Sequence, residues 1–70
     1  MKILVVDDDE IIVEAICQLI RRSDLDIKIA GTAYHAEDAI RIARREAPDM
    51  ILTDIYMPEM SGIDLMREIN

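Results

Sequence analysis

Ile3-Leu4-Val5-Val6, followed at once by Asp7-Asp8-Asp9, decides the fold, and Met50-Ile51-Leu52-Thr53 followed by Asp54 repeats the pattern. Short runs rich in Ile, Leu and Val, flanked by helical periodicity, read as strands buried on both faces, the mark of a parallel sheet. Carboxylates at the carboxyl ends of such strands stand where open α/β sheets place their sites. Asp7, Asp8 and Asp54 converging there would repel one another, and a divalent cation relieves that repulsion. The two stretches together predict a carboxylate site assisted by Mg2+.

Outward from these runs, the chain alternates helix and strand. Asp8 or Asp9 is placed to cap a helix running to about Arg22, with Ile12, Ile16, Leu19 and Ile20 as its apolar stripe. Ser23-Asp24 ends it. The next strand, roughly Asp26 to Ala30, alternates Ile27 and Ile29 with Asp26 and Lys28, the pattern of an edge strand. Gly31 and Thr32 are expected to open a loop. A second helix spans about Ala36 to Ala47, with a small inner face of Ala36, Ala39, Ile40, Ala43 and Ala47, and Pro48 marks its stop. Beyond Asp54, Met57-Pro58-Glu59-Met60 reads as a loop. Ser61-Gly62-Ile63-Asp64 has the form of a capping box opening a third helix, which carries Ile63, Met66 and Ile69 with Leu65 beside them.

Parallel strands joined by helices need right-handed crossovers, and three such units give the strand order 2-1-3. The first helix then covers one face and the second and third the other. The first and third strands become neighbours, so Asp7, Asp8 and Asp54 share one rim at the topological switch point.

Composition narrows the function. Seventy residues make one small domain at most, and with 51% hydrophobic residues disorder is not expected. A net charge of −7 disfavours nucleic acid or an anionic membrane as a direct partner. No stretch has the length of a transmembrane helix and the N-terminus lacks a signal-peptide pattern, so a cytoplasmic protein is the expectation. Cys17 is the sole cysteine, which excludes an internal disulfide and a multi-cysteine metal site.

Val5-Val6-Asp7-Asp8-Asp9, Thr53-Asp54-Ile55-Tyr56-Met57-Pro58 and Met60-Ser61-Gly62-Ile63-Asp64 together resemble the receiver domain of two-component response regulators, the CheY-like family. Gly31-Thr32-Ala33 and Ala47-Pro48-Asp49 are similar to it as well, so the resemblance covers essentially the whole chain. It implies an α/β, flavodoxin-like fold, here a (βα)3 half spanning residues 1–70, the N-terminal half of a receiver. It further implies a signalling module, not an enzyme in its own right, in which Asp54 accepts a phosphoryl group from the phosphohistidine of a sensor histidine kinase. Asp8 and Asp54 would ligate Mg2+ directly, Asp7 mainly through a bound water, and the main-chain carbonyl of Tyr56 would add another oxygen.

The resemblance also has a gap. Complete receivers carry a hydroxyl residue on a fourth strand and a lysine on a fifth, and no residue here matches either role. Lys2 and Lys28, the only lysines, lie at the start of the first strand and on the expected edge strand. The third strand, apolar throughout, would be left on an edge with one face uncovered, a setting for association. The expectation is a homodimer, or a complex with a complementary half, through that edge; a two-fold pairing of third strands and a swapped arrangement both satisfy it. The alternative function is accordingly a self-assembling structural fragment, a half-flavodoxin-like dimer without phosphotransfer. A metal-dependent phosphatase is the third reading. It is disfavoured because such enzymes place a second acid two residues after the nucleophile, where this chain has Tyr56.

Other residues read more simply. Asp9 and Glu10 are helix-start residues favoured by the helix dipole. Thr53 reads as a packed strand residue and Cys17 as a small helix residue. His35 is a lone loop histidine, and Met50, Met57, Met60 and Met66 are loop and core filling. Tyr56 either gates access to Asp54 or is an exposed loop aromatic.

Overall fold

The computed structural model describes residues 1–53 and Arg67. Its elements are β1 (Lys2–Val6), α1 (Glu10–Arg22), β2 (Lys28–Ala33), α2 (Ala36–Glu46) and β3 (Met50–Thr53). The third helix expected from Ser61-Gly62-Ile63-Asp64, and the loop at Met57-Pro58, lie outside the described residues.

The strands form one parallel sheet in the order β2-β1-β3, as the crossover rule requires. β1 is central, and Leu4, Val5 and Val6 are at most 1% exposed. Alternate residues of β1 serve opposite faces. Leu4 and Val6 join Ala33 and the α2 residues Ala36, Ala39 and Ala43, with Ile40, Ile42 and Ile51 against them. Val5 joins Val13 and Cys17 of α1, with Ile16, Ile20, Ile29 and Tyr34 packed around. The helices therefore cover opposite faces.

Three details differ from the sequence reading, each for a local reason. First, the buried stripe of α1 is Val13, Ile16, Cys17 and Ile20. Ile12 is 43% and Leu19 71% exposed, because the Ile11-Ile12-Val13 run offers two helical faces and the small Cys17 lets the Val13 face approach Val5. Second, β2 begins at Lys28, not Asp26, whose carbonyl accepts instead from the N-terminal amine at 3.0 Å. Third, Gly31 and Thr32 are not loop residues. They pair with Leu4 and Val5 after a register shift that leaves Ala30 as an extra residue. Such a bulge breaks the period-two pattern without ending the strand.

Gly31 is required by packing. A Cβ built there would sit 2.9 Å from Ile42 Cγ2, so only glycine lets α2 lie this close to β2. The alanine-lined face of α2 serves the same approach. At its end, Ala47 adopts the left-handed conformation (φ 47°, ψ 61°) and donates its N–H to Ala43 O at 2.9 Å, and Pro48 follows. Lys2 ties the amino ends of the strands together. Its N–H donates to Asp49 Oδ2 at 2.7 Å, its carbonyl accepts from Asp49 N–H at 2.8 Å, and its ammonium donates to Glu46 O at 2.7 Å.

Candidate functional site

The carboxyl end of β1 is where the chain turns acidic. Asp7 N–H still donates to Ala33 O at 3.1 Å, so the ladder with β2 runs one residue past the strand and carries Asp7 into the interior. Asp7 is 9% exposed, the one polar or charged residue among the described residues that is buried. An ionised carboxylate so placed needs hydrogen bonds or a cation. Its Oδ1 accepts Asp9 N–H at 2.9 Å, and among the described residues this is the bond that supports it. Asp8 is exposed beside it.

Asp9 starts α1. Its Oδ1 accepts Ile11 N–H at 2.9 Å, an N-cap that satisfies a donor the helix cannot reach, and its carbonyl accepts Val13 N–H at 3.1 Å, the first helical bond. Of the two cap candidates in the sequence, Asp9 is the one used. Glu10 adds an acid in the first turn, where the helix dipole favours negative charge.

β3 meets this rim by register. Val5 aligns with Leu52 and Val6 with Thr53, which brings the ends of β1 and β3 together; Asp54 is the next residue in the chain. A hollow of about 330 Å³ opens there, lined by Val6, Asp7, Ile16, Leu52 and Thr53. The structure thus brings Asp7 to the end of β3, with Asp8 the next residue in the chain. Asp54 and Tyr56 lie outside the described residues, as do Met57, Met60 and Met66. Among the described residues no three His, Cys, Asp or Glu side chains are grouped to hold a metal. The donors that Asp7 and Asp8 offer are oxygens alone, one of them nearly dry. That chemistry fits a hard cation such as Mg2+, which keeps several waters and needs only one or two carboxylates.

The remaining candidates fall away from the rim or pack. Lys2 lies at the opposite end of β1, on Glu46. Lys28 is an exposed residue at the start of β2, aligned with Lys2. His35 is the exposed N-cap residue of α2, its carbonyl accepting from Ala39 N–H at 3.1 Å. Cys17 is 3% exposed, and burial pushes its thiol pKa up, Arg21 opposing and Glu14 reinforcing. The role the sequence reading did not assign is the Asp9 N–H on Asp7. Its signal was present as Asp7-Asp8-Asp9, the spacing at which an Asp side chain bonds the backbone two residues on.

Comparison with known proteins adds the context. The family described as response regulator receiver domain matches residues 3–70. The transcriptional regulatory protein YdfI of Bacillus subtilis is 41% identical over 68 residues, covering 97% of this chain and 32% of that protein. The alkaline phosphatase synthesis transcriptional regulatory protein PhoP of the same organism is 38% identical over 68 residues, covering 97% of this chain and 27% of that protein. Among solved structures, the response regulator domain of Thermotoga maritima CheB superposes with a TM-score of 0.89 at 32% identity, covering 99% of this chain and 51% of that one. The CheX-CheY-BeF3-Mg2+ complex of Borrelia burgdorferi gives 0.86 at 28%, covering 99% and 52%. The chain therefore spans about a third or less of these curated relatives and about half of these solved structures.

Proposed function

This chain belongs to the response regulator receiver domain family, and on that premise we propose that it is a phosphoacceptor signalling module in which Asp54 receives a phosphoryl group from a sensor histidine kinase. Residues 1–70 make up the N-terminal half of such a receiver, working in the cytoplasm; among the described residues no helix is long and apolar enough to cross a membrane. The observation that carries the reading is Asp7, buried at the end of β1 where the register delivers the end of β3.

In the proposed reaction a carboxylate oxygen of Asp54 attacks phosphorus. An O–P bond forms as the P–N bond of the donor phosphohistidine breaks, and the imidazole leaves with the bonding pair. Asp7, Asp8, Asp54 and the main-chain carbonyl of Tyr56 would hold Mg2+, which when bound offsets the negative charge that otherwise keeps a carboxylate from a phosphoryl group. Asp7, held by Asp9 N–H inside the protein, contributes a fixed negative charge. Asp8 contributes an exposed carboxylate beside it.

The test is intact mass after incubation with an acyl phosphate and Mg2+, beside Asp54→Asn. A phosphate-sized, Mg2+-dependent adduct absent from the variant is the expected result; none from folded protein would refute the reading.

A second reading is association through β3, with a second copy or a complementary half. It is favoured by the place of β3 at the end of the strand order of the described residues, and by Met50 and Leu52, 45% and 39% exposed on the sheet face that α1 covers. Sedimentation decides it: a concentration-independent monomer that folds cooperatively would dismiss association.

A further inference from the structure

Asp9 bonds in three directions at once. Its side-chain Oδ1 takes Ile11 N–H at 2.9 Å, its carbonyl takes Val13 N–H at 3.1 Å, and its own N–H donates to Asp7 Oδ1 at 2.9 Å. The first two bonds lock Asp9 to the first turn of α1, at φ −97° and ψ 111°. With those dihedrals fixed, the direction of the Asp9 N–H is fixed too. The carboxylate it holds is nine-tenths buried, so it has little water to fall back on.

We propose that Asp9 is a positioning residue of the acidic site: by capping α1 with its side chain it holds its own backbone N–H on Asp7 Oδ1 and so orients the Asp7 carboxylate for a cation. The bond commits Oδ1 and leaves Oδ2 as the oxygen that, among the described residues, no hydrogen bond occupies. Asp9 need not touch the cation. Its side chain is exposed and turned to the helix, and its effect passes through the backbone. Removing a group that orients a metal ligand in this way typically weakens metal affinity by about 10–100-fold. The inference rests on Asp7 belonging to a metal site, and the test separates the two.

The experiment is an Mg2+ titration of the full chain followed by backbone amide shifts, comparing Asp9→Ala, Asp9→Asn and Asp8→Asn with the native chain, and thermal unfolding alongside. Asparagine keeps the capping oxygen and loses the charge; alanine loses both. The expected result is that Asp9→Ala binds Mg2+ about tenfold more weakly, while Asp9→Asn stays within a small factor of native. Equal weakening in both would reduce Asp9 to a charge and overturn the proposal. So would unchanged affinity in Asp9→Ala, even with a lowered melting temperature, since a cap that serves only the helix moves stability alone. If Asp9→Ala does not fold, Asp9→Gly, which suits an N-cap without a side-chain oxygen, carries the same comparison. Failure of Asp8→Asn to weaken binding would instead refute the metal-site reading.

Discussion

Replacing Gly31 with alanine tests the claim that glycine is there to let α2 approach β2. The added Cβ would stand 2.9 Å from Ile42 Cγ2 and 3.5 Å from Cδ1. Cγ2 sits on a β-branched carbon whose χ1 is nearly fixed in a helix, so rotation cannot clear the contact cheaply. Overpacking of this kind costs about 1–3 kcal/mol. Against it, alanine restricts the unfolded chain and returns about 0.4–1 kcal/mol. The net is a loss of about 1–2 kcal/mol, which for a domain of this size lowers the melting temperature by roughly 4–8 °C per kcal/mol. Urea unfolding followed by far-UV circular dichroism measures it. The mechanism is tested by the cycle with Ile42→Ala: once the methyl groups are gone, Gly31→Ala is expected to cost nothing or to stabilise. A Gly31→Ala chain as stable as native, or one whose loss persists undiminished beside Ile42→Ala, would refute the reasoning.

The other expectations concern the core, the amino-end tie and the thiol. Leu4 is fully buried, so Leu4→Ala is expected to lose about 2–5 kcal/mol; with a total near 0.05–0.15 kcal/mol per residue, that is roughly half of the stability, read as a lower urea midpoint in the same assay. Glu46 has its pKa lowered, first by the Arg45 hydrogen bond and then by Lys2. A depressed folded value contributes stability above the unfolded glutamate range that is lost as pH falls through the folded value, so Glu46→Gln should flatten the acid limb of a pH–stability curve and leave neutral-pH folding intact. Cys17, its pKa raised by burial, should alkylate more slowly than a free thiol in native buffer and speed up sharply in urea; native labelling at the free-thiol rate would mean that α1 does not pack as described. Ala47→Gly removes the cost of a side chain at φ 47° and should raise stability by about 0.5–1 kcal/mol in urea titration.

The fold was legible where one signal dominated. Two apolar runs ending in acids gave a parallel sheet, and handedness then left one strand order. Boundaries failed where two signals competed. The pattern Ile27-Lys28-Ile29 stopped at Ala30 because a bulge interrupts the alternation, and Gly31-Thr32 looked like a turn since glycine marks turns more often than close helix approach. In α1, three consecutive apolar residues made two stripes equally plausible. The choice fell to the shape of the sheet beneath, a tertiary fact that periodicity does not contain.

The candidate site was legible as a list of acids but not as a structure, and the difference explains Asp9. Sequence identifies a carboxylate; it does not say which of its oxygens is already engaged. Asp7, Asp8 and Asp9 are consecutive in the chain, yet one is buried, one is exposed, and one spends its side chain on a helix and its backbone on the first. What separates them is the point at which β1 stops and α1 begins. Asp7 prolongs the ladder to β2 and is drawn inside, and Asp9 is the last residue before helical hydrogen bonding takes over. A one-residue shift of that boundary would pass each role to the neighbouring acid with the same acids present. The identity of the site therefore lies in the strand-to-helix junction, and substitutions that move the junction should damage it even where every carboxylate is kept.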